Sequence, residues 1–301
     1  MKVVLAGATG FLGQPLVRSL SADGHDVVLL TRSPKRAGPG VRVVTWQPDG
    51  TVGSWAEALD GADAVVNLAG ESIAEGRWTP ARKAALTESR LLSTGSLVAA
   101  ISRATRRPPV LVSGSAVGYY GPRGDELVTE ADQAGNDFLA RLSHEWERAA
   151  QAAESGGTRV VLVRTGLVLE RDGGALKAML RPFQFGVGGP LGSGMQYWPW
   201  IHRADWIALM RFLLDRPDAH GAVNATAPVP VTNEEFSRTL ARVIRRPCVF
   251  RAPPFVLRLA MGEMADALLL SGQRVVPARA QEMGFKFEYE TLEPALRAIF
   301  S

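Results

Sequence analysis

Seven residues near the start of the chain constrain its fold more than any others. Gly7-Ala8-Thr9-Gly10-Phe11-Leu12-Gly13 stands between an apolar run, Lys2–Ala6, and a stretch in which Leu12, Leu16 and Leu20 fall four apart. The run reads as a buried strand and the stretch as an amphipathic helix, so the glycines sit at a strand-to-helix turn. The first glycine allows the tight turn and the second lets backbone N–H groups approach a pyrophosphate. The third lets the helix pack closely on the sheet. A helix N-terminus then directs unpaired N–H groups and partial positive charge at the phosphates. Gly7, Thr9, Gly10, Phe11, Leu12 and Gly13 are therefore the expected cradle for a dinucleotide.

The pattern continues beyond the turn. Short β-branched runs at Asp26–Leu30, Val41–Thr45, Ala64–Leu68, Val110–Ser113 and Arg159–Arg164 alternate with longer helical stretches. Runs apolar on both faces belong to a parallel sheet covered by helices. The fold expected is α/β, a doubly wound parallel sheet of Rossmann type with a small, mostly helical C-terminal substrate lid. We place the nucleotide-binding domain at residues 1–170, with strand and helix returns to about residue 230, and the substrate-side helical region at 171–301. Gly186–Gly194 and the aromatic cluster Tyr197-Trp198-Pro199-Trp200 are read as parts that close over a substrate. A capping box at Thr232 and Glu235 opens a later helix. With 46% hydrophobic residues the chain is globular in composition, which excludes disorder and low-complexity scaffolding.

The end of the second strand selects the cofactor. NAD sites usually carry an acidic side chain there, to accept from the ribose hydroxyls. This chain has Thr31-Arg32-Ser33, with Lys35 and Arg36 beyond, and Asp26 lies at the strand's other end. An arginine at this position stacks on adenine and pairs with a 2′-phosphate. Arg32 and Ser33 therefore predict NADP(H).

With these residues in view, the chain resembles the short-chain dehydrogenase/reductase superfamily, in its extended, epimerase-like branch. The glycine spacing is similar, and Asn67-Leu68-Ala69-Gly70 resembles the motif lining adenine and ribose. Ser113-Gly114-Ser115-Ala116-Val117-Gly118-Tyr119-Tyr120-Gly121 resembles the serine-bearing segment beside the nicotinamide. More narrowly, Arg77-Trp78-Thr79, Ser89-Arg90, His144-Glu145-Trp146-Glu147, Trp200–Asp205, Asn224–Pro228 and Met283-Gly284-Phe285 look like epimerase-family proteins that carry a C-terminal domain of unknown function. The resemblance implies cofactor contacts at Leu68, Ala69, Gly70 and Arg90.

It also implies a tyrosine and a lysine one helical turn apart, and these are missing. The lysines are Lys2, Lys35, Lys83, Lys177 and Lys286; the four that have a residue four positions upstream have Thr31, Thr79, Gly173 and Glu282 there. No Tyr-x-x-x-Lys exists in the chain. Ser115 survives as the residue expected to orient a carbonyl, and Tyr119 is the catalytic candidate for proton donor, with a water as its substitute. His202 and Asp205 lie at a strand-to-helix junction where a structural role suffices.

Two functions follow. One is an NADP(H)-dependent epimerase/dehydratase-like protein or oxidoreductase acting on a small carbonyl or sugar-like substrate. The other is a non-catalytic NADP(H)-binding sensor or assembly factor, since chemistry is usually lost with its proton relay. One cysteine and four histidines without ligand spacing predict no metal. A net charge of +4, dispersed, predicts no nucleic-acid partner. The apolar run at Val3–Ala6 is too short for a secretory segment, and no run approaches a bilayer span, so no membrane partner and a cytoplasmic location are expected. A small-molecule substrate is the partner expected, with a homodimer left open.

Overall fold

A computed structural model describes residues 1–32 and 41–301. Its strands are β1 (Lys2–Ala6), β2 (Asp26–Thr31), β3 (Val41–Thr45), β4 (Ala64–Asn67), β5 (Val110–Ala116), β6 (Leu127–Val128), β7 (Arg159–Thr165), β8 (Leu167–Leu169), β9 (Tyr197–Trp198), β10 (Trp200–His202), β11 (Gly221–Ala225), β12 (Val231–Thr232) and β13 (Arg274–Val275). The helices are α1 (Gly13–Ala22), α2 (Pro80–Arg103), α3 (Phe138–Gln151), α4 (Gly174–Gln184), α5 (Arg203–Asp215), α6 (Asn233–Val243), α7 (Pro254–Met261), α8 (Glu263–Ala265), α9 (Ala278–Glu282) and α10 (Leu292–Phe300).

Seven strands form one parallel sheet in the order β11-β7-β5-β4-β1-β2-β3. This is the doubly wound Rossmann architecture, and the strand order reverses between β1 and β4. Ligands of open α/β sheets bind outside the carboxyl ends of the strands at such a switch point. The seventh strand comes from beyond residue 170: Gly221–Ala225 returns to pair with β7.

Alternation along the strands divides the core in two. Val3, Leu5, Val27, Leu29, Val112 and Val163 face one side, packed with Leu16 and Leu20 of α1 and Trp206 and Leu213 of α5. Val4, Ala6, Val28, Leu30, Leu111 and Leu162 face the other, with Leu97 and Ile101 of α2 and Ala150 of α3. Each fully buried aliphatic side chain of this kind contributes roughly 1.5–3 kcal/mol. The helix starts are chemically marked. Thr79 caps α2 by accepting from Arg82 N at 3.1 Å, with Pro80 following it, and Asp137 caps α3 by accepting from Ala140 N at 2.7 Å.

A third cluster holds the C-terminal region together. Leu176, Phe183, Trp198, Trp200, Phe236, Leu240, Leu292 and Leu296 are buried in it. This corrects the reading of the two tryptophans as a surface closing over substrate. Trp200 is fully buried with its indole N–H donating to Val229 O at 3.0 Å, and Trp198 stacks edge-on against Phe236. The two rings, one on β9 and one on β10, bury large apolar area in the core of this small helical layer.

Candidate functional site

The glycine turn lies at the switch point, and its three glycines have different reasons to be there. Gly7 has φ +74°, and a Cβ on it would come within 2.4 Å of Ala69 N and 2.5 Å of Leu68 C. On Gly13 a Cβ would fall 2.2 Å from Ala8 Cα. The chain's own packing requires both. Gly10 is different: the nearest atom to a Cβ there is Gly7 O at 4.0 Å. Its bareness leaves open space at the mouth of the turn. No side chain caps the N-terminus of α1 at Leu12, and the Gln14 N–H donates back to Gly10 O at 3.1 Å, which leaves the start of this ten-residue helix covered by backbone alone. Phe11 packs on Gly173 and Gly174, with the Arg203 guanidinium 5.2 Å from its ring centroid. It thereby ties the turn to the starts of α4 and α5. Thr9 accepts from Gln14 Nε2 through its carbonyl at 2.8 Å.

At the carboxyl end of β2, Thr31 is buried and Arg32 is exposed, making no ion pair among the described residues. Asp26 starts the same strand, alongside Lys2 in register. Ser33, Lys35 and Arg36 lie outside the described residues. The end of β4 is held by fully buried Asn67, which donates to Thr94 Oγ1 at 2.9 Å and accepts from Ala69 N at 3.1 Å. Trp146 of α3 donates to the same Thr94 oxygen at 2.9 Å. These bonds fix Leu68, Ala69 and Gly70 beside Gly7. Arg90 backs that loop: its side chain passes 3.1 Å from a Cβ built on Gly70 and donates to Leu86 O and Glu71 O, both at 3.0 Å. Burial pushes its guanidinium down to about 10, against the opposing pull of Glu71.

The end of β5 opens onto a buried polar network. Parallel pairing sets Ser115 across from Arg164 of β7. Ser115 Oγ donates to Glu147 Oε1 at 2.6 Å, and Arg164 clamps that carboxylate with Nε to Oε1 and Nη2 to Oε2, both at 2.8 Å. Nη1 of Arg164 donates to Tyr120 Oη at 2.9 Å, and Tyr120 donates to Asn224 Oδ1 at 2.7 Å. Glu147 and Arg164 side chains are each 5% exposed. Burial opposes the arginine's charge, but the hydrogen bonds and charge of Glu147 outweigh it and hold the guanidinium above its ordinary value. Burial pushes Tyr120 up to about 12 despite Arg164.

The Tyr119 ring lies on the Arg164 guanidinium at 3.5 Å, edge-on to Tyr120 and tilted against His144. Glu147, named in the sequence only as part of a family-like motif, and Arg164, named only as a strand end, were given no site role there. A glutamate on an amphipathic helix reads as a solvated charge, and Arg164's place at the end of a strand whose middle, Val160–Val163, is apolar was the available signal.

The arrangement has a chemical consequence. With its proton committed to a carboxylate, Ser115 Oγ has only acceptor capacity left. His202 and Asp205 serve structure. His202 Nδ1 accepts from Ala204 N at 3.1 Å as the cap of α5, and burial holds the ring below its ordinary pKa. Asp205 accepts from Glu288 N and Tyr289 N, at 2.8 and 3.0 Å. A hollow of about 300 Å³ lined by Tyr120, Pro122, Arg123 and Gly135 contains none of the glycine-turn residues and shares Tyr120 with the network beneath Ser115.

The family model described as NAD dependent epimerase/dehydratase family matches residues 3–225, and one described as a domain of unknown function, DUF1731, matches residues 252–299. An epimerase family protein of Mycobacterium tuberculosis is 41% identical over 98% of this chain and 96% of its own. The crystal structure of human epimerase family protein SDR39U1 with NADPH has a TM-score of 0.89 and 37% identity, covering 99% of both chains. A nucleoside-diphosphate sugar epimerase from Corynebacterium glutamicum has a TM-score of 0.80 and 32% identity, over 98% of this chain and 57% of that one.

Proposed function

The chain belongs to the NAD dependent epimerase/dehydratase family, and from that premise we propose that it is an NADP(H)-dependent oxidoreductase or epimerase-like protein acting on a small carbonyl or sugar-like substrate. The observation that carries the reading is the open mouth of the glycine turn at the sheet's switch point, where Gly10 is bare and α1 uncapped. The backbone from Gly7 to Gly13 would hold the pyrophosphate. Leu68, Ala69 and Gly70 would line adenine and ribose, with Arg90 keeping that loop in place. Arg32, exposed and making no ion pair among the described residues, supports the phosphorylated cofactor, as does the NADPH in the human relative's structure. Ser33 would assist it.

The nicotinamide cofactor, when bound, supplies or takes the hydride. Ser115, its hydroxyl rotor set by Glu147, orients the substrate oxygen by accepting from its hydroxyl form. Tyr119, or a water beside it, moves the proton, because Tyr120 is held protonated by burial. Phe11 and Arg203 close the cofactor side against the C-terminal region. A reducing cytoplasm suits the single cysteine.

One observation favours the second reading, a non-catalytic NADP(H) binder: the cation that stands near the phenols, Arg164, is locked to Glu147 and cannot exchange a proton. Titration with NADPH and NADH by quenching of intrinsic fluorescence, with wild type and Arg32→Ala, tests the cofactor assignment. NADPH should bind at least tenfold tighter, and Arg32→Ala should erase the preference; equal or reversed affinities would sink it. Turnover on a carbonyl and sugar-alcohol panel that falls in Ser115→Ala supports catalysis, whereas tight binding with no turnover supports the second reading.

A further inference from the structure

Most of the large apolar side chains exposed among the described residues lie on two neighbouring stretches, and both stretches lack acids. No Asp or Glu occurs between Asp172 and Asp205, or between Glu235 and Glu263. The two run side by side: Leu191 bridges to Ala252 in parallel, Gly192 N donates to Ala252 O, and Ala252 N donates to Pro190 O. On the first, Phe185 is 82% exposed, and on the second Val249 and Phe250 are exposed. The second leads into α7, an eight-residue helix with no buried residue, on which Phe255 and Leu259, one turn apart, are 70% and 77% exposed. Several arginines here are paired: Arg242 with Glu293, Arg251 with Glu234 and Arg258 with Asp266. Lys177, Arg181, Arg245 and Arg246 are exposed and make no ion pair among the described residues.

We propose that this basic, apolar face, centred on α7 and the 245–250 segment, adsorbs peripherally to an anionic lipid surface. The charge on the face selects the occupant. A second copy meeting it through the same face would set unpaired cations against cations, with no acid on either stretch to answer them. A nucleic acid would satisfy the arginines and leave exposed aliphatic side chains such as Leu259 and Val249 in water. An anionic bilayer satisfies both, taking Phe and Leu side chains into the headgroup boundary while arginines meet the phosphates. The expectation that no membrane partner exists rested on the lack of a spanning run. Adsorption needs none, and among the described residues no helix is long and apolar enough to cross a membrane.

Co-sedimentation of the full chain with vesicles tests the proposal, comparing phosphatidylcholine alone with an equal mixture of phosphatidylcholine and phosphatidylglycerol. We expect at least tenfold stronger partition onto the anionic vesicles, falling when salt is raised from 0.1 to 0.5 M. Each basic residue near such a surface is worth about fivefold, so Arg245→Glu with Arg246→Glu should lower partition by more than tenfold. Phe255→Ser with Leu259→Ser should do the same. All four side chains are exposed, so the melting temperature and NADPH titration of both variants should match wild type. No partition, or equal partition onto neutral vesicles, overturns the proposal. So does binding of a single-stranded oligonucleotide without vesicle binding. A dimer in sedimentation velocity that dissolves in Phe255→Ser with Leu259→Ser, without vesicle binding, assigns the face to self-association instead.

Discussion

Glu147→Leu isolates the energetics of the buried network beneath Ser115. The substitution leaves the Arg164 guanidinium, whose side chain is 5% exposed, with Tyr120 Oη as its one remaining side-chain hydrogen bond among the described residues. Removing one partner of a buried, hydrogen-bonded ion pair costs about 3–5 kcal/mol. Unfolding entropy near 2.1 cal/mol/K per residue gives about 0.6 kcal/mol/K for this chain, so the melting temperature should fall by about 5–8 °C. Adding Arg164→Leu removes the uncompensated charge. The double variant should lie within about 2 kcal/mol of wild type, the remainder reflecting the orphaned Ser115 hydroxyl. The assay is thermal and urea unfolding followed by tryptophan fluorescence for wild type, both single variants and the double variant. If Glu147→Leu loses less than about 1 kcal/mol, or the double loss equals the sum of the singles, the pair is not the coupled unit described.

The remaining predictions concern the turn and the cap. Gly7→Ala combines a positive φ with backbone 2.4 Å from its new methyl and should destabilise by about 2–5 kcal/mol. Gly10→Ala meets nothing closer than 4.0 Å and should change the melting temperature little while weakening NADPH binding at least tenfold; unchanged binding would remove Gly10 from the cradle. Burial lowers the folded pKa of His202 below the unfolded value of about 6.5. The unfolded chain then binds the extra proton first, and stability present above about pH 6.5 is lost as pH falls through the folded pKa. His202→Asn keeps a capping side chain and should flatten the loss of melting temperature between about pH 6.5 and 5; an unaltered slope would rule His202 out as its source.

Much of this was legible in the chain itself. Strands, a helix cap and the place of the glycine turn are local: Val3 to Ala6 alternate between two buried faces, Thr232 caps α6 by accepting from Glu235 N at 3.2 Å, and Gly7 directly follows a recognisable strand. The end of β2 at Thr31, where Arg32 follows, could be read because the strand is locally marked. The absence of a Tyr-x-x-x-Lys pair needed only a count.

What the chain alone could not disclose depends on contacts between elements distant in sequence. Ser115 faces Arg164 only because β5 pairs with β7, and Glu147 reaches both only because α3 lies on that face of the sheet. Taken singly, a glutamate on a helix and an arginine on a strand look like solvated charges, since burial is a property of the packed assembly and not of the residue. The same reason turned Trp198 and Trp200 from a supposed lid into core, and left Phe255 and Leu259, apolar by sequence, facing water. Residue order determined the turn and the layers; packing decided which charges are buried and which apolar side chains remain outside.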